Sequence, residues 1–208
     1  MGFLERWSGV LGGLAALLVL VLVWQIFSEG EDLEARDSRG RTPLIIAAEE
    51  GDGDRVRDLV DKGARVDAGD DCDWTAMMRA ASRGHTDILS YLLDQGADIN
   101  HQEKTGYTAL MGAVISNRPQ AVELLLARDA DPNLQETEKG QTALMMAVRN
   151  RTPELVNLLL EAGADPEIRN DEGQNTKDLA LQLSAGKEGV GSDIRQMLGC
   201  EPESADKD

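Results

Sequence analysis

The sequence predicts an all-helical repeat solenoid carried behind one N-terminal membrane-crossing helix. Two periodic markers predict the solenoid. Thr142-Ala-Leu-Met-Met-Ala-Val148 has three upstream counterparts, Thr108-Ala-Leu-Met-Gly-Ala-Val114, Thr75-Ala-Met-Met-Arg-Ala-Ala81 and Thr42-Pro-Leu-Ile-Ile-Ala-Ala48, with threonines 33, 33 and 34 residues apart. A second register, Gly63-Ala64, Gly96-Ala97-Asp98, Asp129-Ala130-Asp131 and Gly163-Ala164-Asp165, keeps the same spacing of 33, 33 and 34. Self-similarity at a period of this size is the mark of a stacked array. The third observation is an apolar run at residues 7–27 whose only polar side chains are Ser8 and Gln25.

A unit of this length that opens on a T-P-L-like heptapeptide and closes on L-L-x-x-G-A-D resembles the ankyrin repeat. That resemblance implies a β-turn finger followed by two antiparallel helices in each unit. Four units follow from it, at about 37–69, 70–102, 103–136 and 137–170, with a degenerate cap at 171–200.

Taken in order, residues 1–6 form a short tail. As a helix, residues 7–27 measure about 30 Å, the thickness of a bilayer core. Trp7 at one end and Trp24 and Phe27 at the other fit aromatic anchoring. A cleaved signal peptide is the alternative, but the run is longer than the usual apolar core of one, and Trp24-Gln-Ile-Phe-Ser-Glu-Gly30 offers no small-residue cleavage site. Orientation signals conflict. Arg36, Arg39 and Arg41 after the run favour a cytoplasmic C-terminal side, whereas a six-residue N-terminus bearing Arg6 resembles a signal-anchor; the expectation leans slightly to export. Gly9 and Gly13 could bring two such helices together as a weak homodimer, or simply face lipid.

Residues 28–36 read as an acidic linker. In the first unit the second helix keeps only Val56, Leu59 and Val60 apolar, whereas its counterparts carry runs such as Ala121-Val-Glu-Leu-Leu-Leu126. A polar outer helix suits a terminal cap. Pro119 and Pro153 stand just inside second helices, where a missing amide hydrogen costs little, and glycine or Asp129 ends them in the left-handed region. In the last unit Asn175 replaces the threonine and Lys177 replaces a core leucine, as an exposed end permits. The glycine-rich loop at 186–191 and a short helix near 193–198 close the array, and 201–208 reads as a disordered tail.

The formal net charge is −17. Residues 37–200 hold 18 Lys and Arg against 29 Asp and Glu, a balance of −11. Phosphate neutralisation needs a basic stripe, so nucleic acid is excluded as a partner, and a charged partner is expected to be basic or of mixed charge.

Met78, Met111 and Met145 stand where the ankyrin sequence usually has histidine. Successive units lie about 8–10 Å apart, so the three thioethers cannot share one metal ion, and core packing is the expectation. Asp67, Asp70, Asp71 and Asp73 lack the spacing of a calcium loop and read as a solvated turn. Cys72 and Cys200 are separated by most of the stack and cannot pair within one chain. Asn150-Arg-Thr152 matches a glycosylation sequon but carries no weight without a known compartment. His85 and His101 have no nucleophile at a recognisable motif, so no catalytic site, cofactor or metal is expected.

In proteins of the resembled family, partners dock on a concave face made of finger tips and first helices. The corresponding positions include Trp74, Arg83, Lys104, Tyr107, Ile115 and Arg149. Exposed Trp, Tyr and Arg are the side chains that dominate binding hot spots; Trp74 could equally cover the loop beneath it. The expected function is a non-catalytic, membrane-tethered protein-interaction module. The alternative is an acidic inhibitor or immunity-type protein that blocks a basic enzyme.

Overall fold

The computed structural model describes residues 32–183 and 190–199. Ten helices and no strand occur among them: α1 (Pro43–Glu50), α2 (Gly53–Asp61), α3 (Ala76–Arg83), α4 (Thr86–Asp94), α5 (Ala109–Ile115), α6 (Pro119–Ala127), α7 (Ala143–Arg149), α8 (Pro153–Glu161), α9 (Thr176–Leu183) and α10 (Val190–Met197). Five helix pairs result, one for each of the four predicted units and one for the predicted cap. No helix among the described residues is long and apolar enough to cross a membrane. The predicted tail at 1–6, the predicted membrane helix at 7–27 with its Gly9 and Gly13 contact, linker residues 28–31, Cys200 and the 201–208 tail lie outside the described residues.

The recurring threonine starts each first helix for a defined reason. Thr42, Thr75, Thr108 and Thr142 hold extended backbone, and each hydroxyl accepts the amide hydrogen of the residue three positions on. One of the orphan donors at each helix start is thereby satisfied. Asn175 does the same work in the last unit. Its Oδ1 accepts from Asp178 N at 2.9 Å, and Asp178 Oδ2 accepts from Asn175 N at 3.1 Å, a reciprocal capping box. Pro119 and Pro153 occupy the first turns of α6 and α8 as expected. Asp129 takes the left-handed backbone, φ 65°, that glycine takes after the other second helices.

First helices α1, α3, α5, α7 and α9 pack in sequence as one layer, and α2, α4, α6, α8 and α10 form the second. One continuous apolar core lies between them. Met78, Met111 and Met145 are fully buried in it, which bears out their packing role. Val56 and Leu59 are the buried residues of α2, while Arg55, Arg57 and Lys62 pair with Asp54 and Asp58 along its outer surface. Lys177 lies at the exposed end and pairs with Glu167. Leu33 packs against the core, and Arg36 Nη1 donates to the Gly40 and Gly69 carbonyls at 2.7 Å each, so the chain joins the stack ahead of Asp37.

Fingers are tied edge to edge by one backbone hydrogen bond per junction: Asp71 N to Arg39 O, Lys104 N to Cys72 O, Thr137 N to Thr105 O and Asp171 N to Lys139 O. Gln102 and Gln135 add a side-chain rung, each donating to a carbonyl of its own finger and to one in the next. The two histidines are spacers between units. His85 Nε2 contacts Glu49 O at 3.3 Å, and His101 Nε2 contacts Asp73 O at 3.0 Å.

The expectation of a solvated aspartate turn is corrected at one residue. Asp70 is only 8% exposed. It organises the finger from inside: Oδ1 accepts the Cys72 and Trp74 amides at 2.9 and 3.0 Å, and Oδ2 binds Arg79 Nη2 at 2.6 Å. Among the described residues no group of three or more His, Cys, Asp and Glu could hold a metal ion.

Candidate interaction face

Each finger is built around one acid or amide at equivalent positions, namely Asp37, Asp70, Glu103, Glu136 and Asn170. Its side chain collects the backbone amides of the turn, which have no partner in a helix or sheet, through one oxygen in four fingers and through both in that of Glu136. In the second finger this fixes Trp74. In the third, Glu103 Oε1 accepts from Thr105 N at 3.0 Å, from Tyr107 N at 3.1 Å and from the Thr105 hydroxyl, fixing Tyr107. Gly106 turns this finger with φ 81°, and a Cβ there would stand 2.9 Å from Thr137 N. No larger residue fits without parting the third finger from the fourth.

Trp74 and Tyr107 stand on neighbouring fingers, one unit apart. Arg79 of α3 lies over the Trp74 ring, its guanidinium carbon 4.6 Å from the centroid. The far edge of the ring reaches across to α5, within 3.7 Å of where a Cβ on Gly112 would be. Beside them opens a cleft of about 410 Å³ lined by Trp74, Glu103, Tyr107, Gly112, Ile115 and Glu138, together with Thr105 and Ser116. Ile115, at the end of α5, is 48% exposed and stands in the cleft beside the two aromatic rings.

The cleft is negative. Burial raises the Tyr107 phenol above its usual value, and the carboxylates of Glu136, Glu138 and Glu103 push it the same way, with Arg149 opposing. Across the preceding unit, Glu49 lies between Arg41 and Arg83, bonded to each at 2.7 Å. Desolvation pulls its carboxyl upward, but the hydrogen bonds from Arg83 and Arg41 outweigh this and hold it below the usual glutamate value.

Of the six residues expected on the binding face, the structure gathers Trp74, Tyr107 and Ile115 around one cleft, with Arg149 near enough to Tyr107 to influence its phenol. Arg83 and Lys104 are exposed but already engaged. Arg83 bridges to Glu49 of the unit before, and Lys104 Nζ donates to Asp71 O at 2.5 Å in the neighbouring finger. Trp74 packs against the core cluster and also lines the cleft.

Sequence reasoning missed Glu103, Gly112 and Glu138. A signal existed in the column Ile46, Arg79, Gly112, Met146, where one small residue interrupts three large ones on the same helix face. Only knowledge of which finger faces that column shows that the gap opens onto Glu103.

No curated protein matches the chain. The family model for ankyrin repeats, three copies, matches residues 14–103 and 96–170, together most of the chain. With the threonine-capped helix pairs and fingers seen in the structure, the match identifies the chain as a member of the ankyrin repeat family.

Proposed function

We propose that this chain is a membrane-tethered, non-catalytic interaction module that binds a protein partner of basic or mixed charge through the face around Trp74, Tyr107, Ile115 and Arg149. Ankyrin repeats are protein-binding modules, and the observation that carries the finer reading is the cleft between the second and third fingers. It combines two aromatic rings and an exposed isoleucine with the carboxylates of Glu103 and Glu138. Aromatic anchors give contact area, and the carboxylates select against acidic partners. Tethering rests on the apolar run at 7–27, and the favoured orientation exports the solenoid.

The test is photo-crosslinking from position 115 or 107 of the full-length chain in native membranes, followed by identification of the attached protein. Loss of that adduct on Tyr107→Ala, with none on neutralising Asp87 and Glu123 of the other helix layer, supports the face. Retention of the full-length chain in membranes after alkaline washing tests the tether, and recovery of a mature chain starting near Ser28 overturns it. An adduct consisting of one abundant basic enzyme, inactivated on binding, favours the inhibitor reading over a scaffold.

A further inference from the structure

Three repeat columns coincide at the second and third fingers. Asp70 and Glu103 are equivalents 33 residues apart, as are Trp74 and Tyr107, and Arg79 and Gly112. In the second unit the acid uses one oxygen for its own turn and offers the other to Arg79, whose guanidinium is stacked on Trp74. In the third unit Glu103 organises its turn in the same manner through Oε1. The helix position that should return an arginine holds Gly112. Glu103 is only 6% exposed, and its Oε2 takes no hydrogen bond from the described residues.

The other fingers leave no such vacancy. Asp37 gives its second oxygen to Arg41, and Glu136 uses both oxygens on the amides of Glu138, Lys139 and Gln141. Glu103 Oε2 is not among the sealed, unpartnered side-chain atoms, so water in the cleft serves it; once a docking partner covers the cleft, that oxygen is costly unless the partner supplies a donor. Here the space a cation would fill is the cleft itself, bounded by Tyr107, Trp74 and Gly112.

We propose that this cleft is a receptor for an arginine side chain of the partner protein, its guanidinium lying on Tyr107 and donating to Glu103 Oε2, as Arg79 lies on Trp74 and donates to Asp70. The proposal rests on the interaction-module reading and gives that module's partner a chemistry. A planar guanidinium lies flat on a ring while its edge donates in a fixed fork, whereas an ammonium offers only a strongly hydrated point charge. Trp74 and Ile115 lie along the cleft to cover the methylene stem. An apolar side chain would seal Glu103 away from water without a partner. Burial first and then the carboxylates of Glu136, Glu138 and Glu103 raise the Tyr107 phenol, and those same carboxylates would draw the cation in.

The second unit also supplies the means of test. The nearest atoms to a Cβ at Gly112 would be those of Trp74 and Ser82 at 3.7 Å, ordinary contact, in a helical backbone that any residue adopts. Gly112→Arg should therefore fold and fill the cleft from within. Acetyl-arginine amide and acetyl-citrulline amide, which has the same shape without the charge, are titrated into the isotopically labelled full-length chain, reading the Tyr107 and residue-112 amide shifts.

The expected result is saturable shifts with the arginine amide and about tenfold or weaker affinity for the citrulline amide, the effect of one charge-assisted hydrogen bond. Glu103→Gln, which keeps a carbonyl for the Thr105 and Tyr107 amides, should lose about the same factor. Gly112→Arg should abolish binding, while Gly112→Ala, which adds only the Cβ, keeps it. Equal binding of the two amides, undiminished binding by Gly112→Arg, or no shift with wild type at millimolar probe overturns the proposal. Shifts that grow with the chain's own concentration before any probe is added would give the cleft to a second copy and also overturn it. These failures are separable from failure of the broader reading: a crosslinked partner that depends on Tyr107 but tolerates Gly112→Arg keeps the face and removes the arginine receptor.

Discussion

Arg79 lies over Trp74 and in the same position grips Asp70, so one guanidinium joins a helix, an aromatic ring and the buried acid of a finger. The two charged side chains are 18% and 4% exposed. Removing one partner of such a pair strands the other charge. Arg79→Met should cost about 2–4 kcal/mol, toward the lower end for a buried pair because Arg79 keeps some solvent. Arg79→Lys should recover only part of that loss, since it restores charge without fork or stack. Adding Asp70→Asn to Arg79→Met should relieve much of it, because the amide oxygen still serves the turn and no charge is left alone. Urea unfolding midpoints check all three, and an unchanged midpoint for Arg79→Met contradicts the role given to the pair.

Acid should loosen the first unit ahead of the others. Hydrogen bonds from the Arg41 guanidinium, then from the Arg41 and Arg39 amides, lower Asp37 to about 2, and Glu49 is also depressed despite its desolvation. A depressed carboxylate contributes stability that is complete above its ordinary value, 3.8 for Asp37 and 4.5 for Glu49, and is lost as pH falls through the folded value. Amide exchange in α1 and its finger should therefore accelerate between about pH 4.5 and 2, beyond the trend of α5 and α7. Arg41→Gln, which strips both acids of their shared partner, should flatten that difference. Identical acid profiles for wild type and Arg41→Gln would exclude the mechanism.

How much was legible beforehand depends on whether the signal lay along the chain or across it. The threonine caps, Pro119 and Pro153 at helix starts, Asp129 in the left-handed region and the buried methionines are all local or strictly periodic, and each appears where its spacing put it. The turn at Asp70 was misjudged because its charge suggested solvent, and its neutralising partner stands nine residues on, in a helix. In the sequence Gly112 is only one letter of the repeating heptapeptide. Its consequence, an open cleft and an acid oxygen without a donor, exists only once the third finger is laid against α5.

Leu125 and Leu159 hold equivalent places in α6 and α8 and are fully buried between neighbouring units. Truncation of either to alanine should cost about 2–5 kcal/mol, the lost transfer energy plus the cavity left behind. Leu59 is equally buried but sits in the polar α2, with a described unit on one side instead of two. Because repeat arrays draw on nearest-neighbour interfaces, Leu59→Ala should cost less. Equal losses at the three sites, by chemical denaturation, would overturn the capping role of the first unit.

The sharpest separation of binding from stability is available at Ile115, because it is the one large apolar side chain in the cleft that the fold does not need. At 48% exposed it covers little core, so Ile115→Ala should leave the unfolding midpoint within about 0.5 kcal/mol of wild type. Its position beside Tyr107 and Trp74 makes it part of whatever surface is desolvated on docking. Ile115→Ala should therefore weaken partner binding about five- to tenfold, the worth of burying an aliphatic side chain at an interface. Trp74→Ala cannot serve alone, since it also frees Arg79 from its stack and should lower stability by about 1–3 kcal/mol. Trp74→Phe, which keeps a ring under Arg79, is the companion variant for that site. If Ile115→Ala binds the crosslinked partner as tightly as wild type while neutralising Asp67, Asp71 and Asp73 abolishes binding, recognition belongs to the acidic edge of the second finger and not to the cleft.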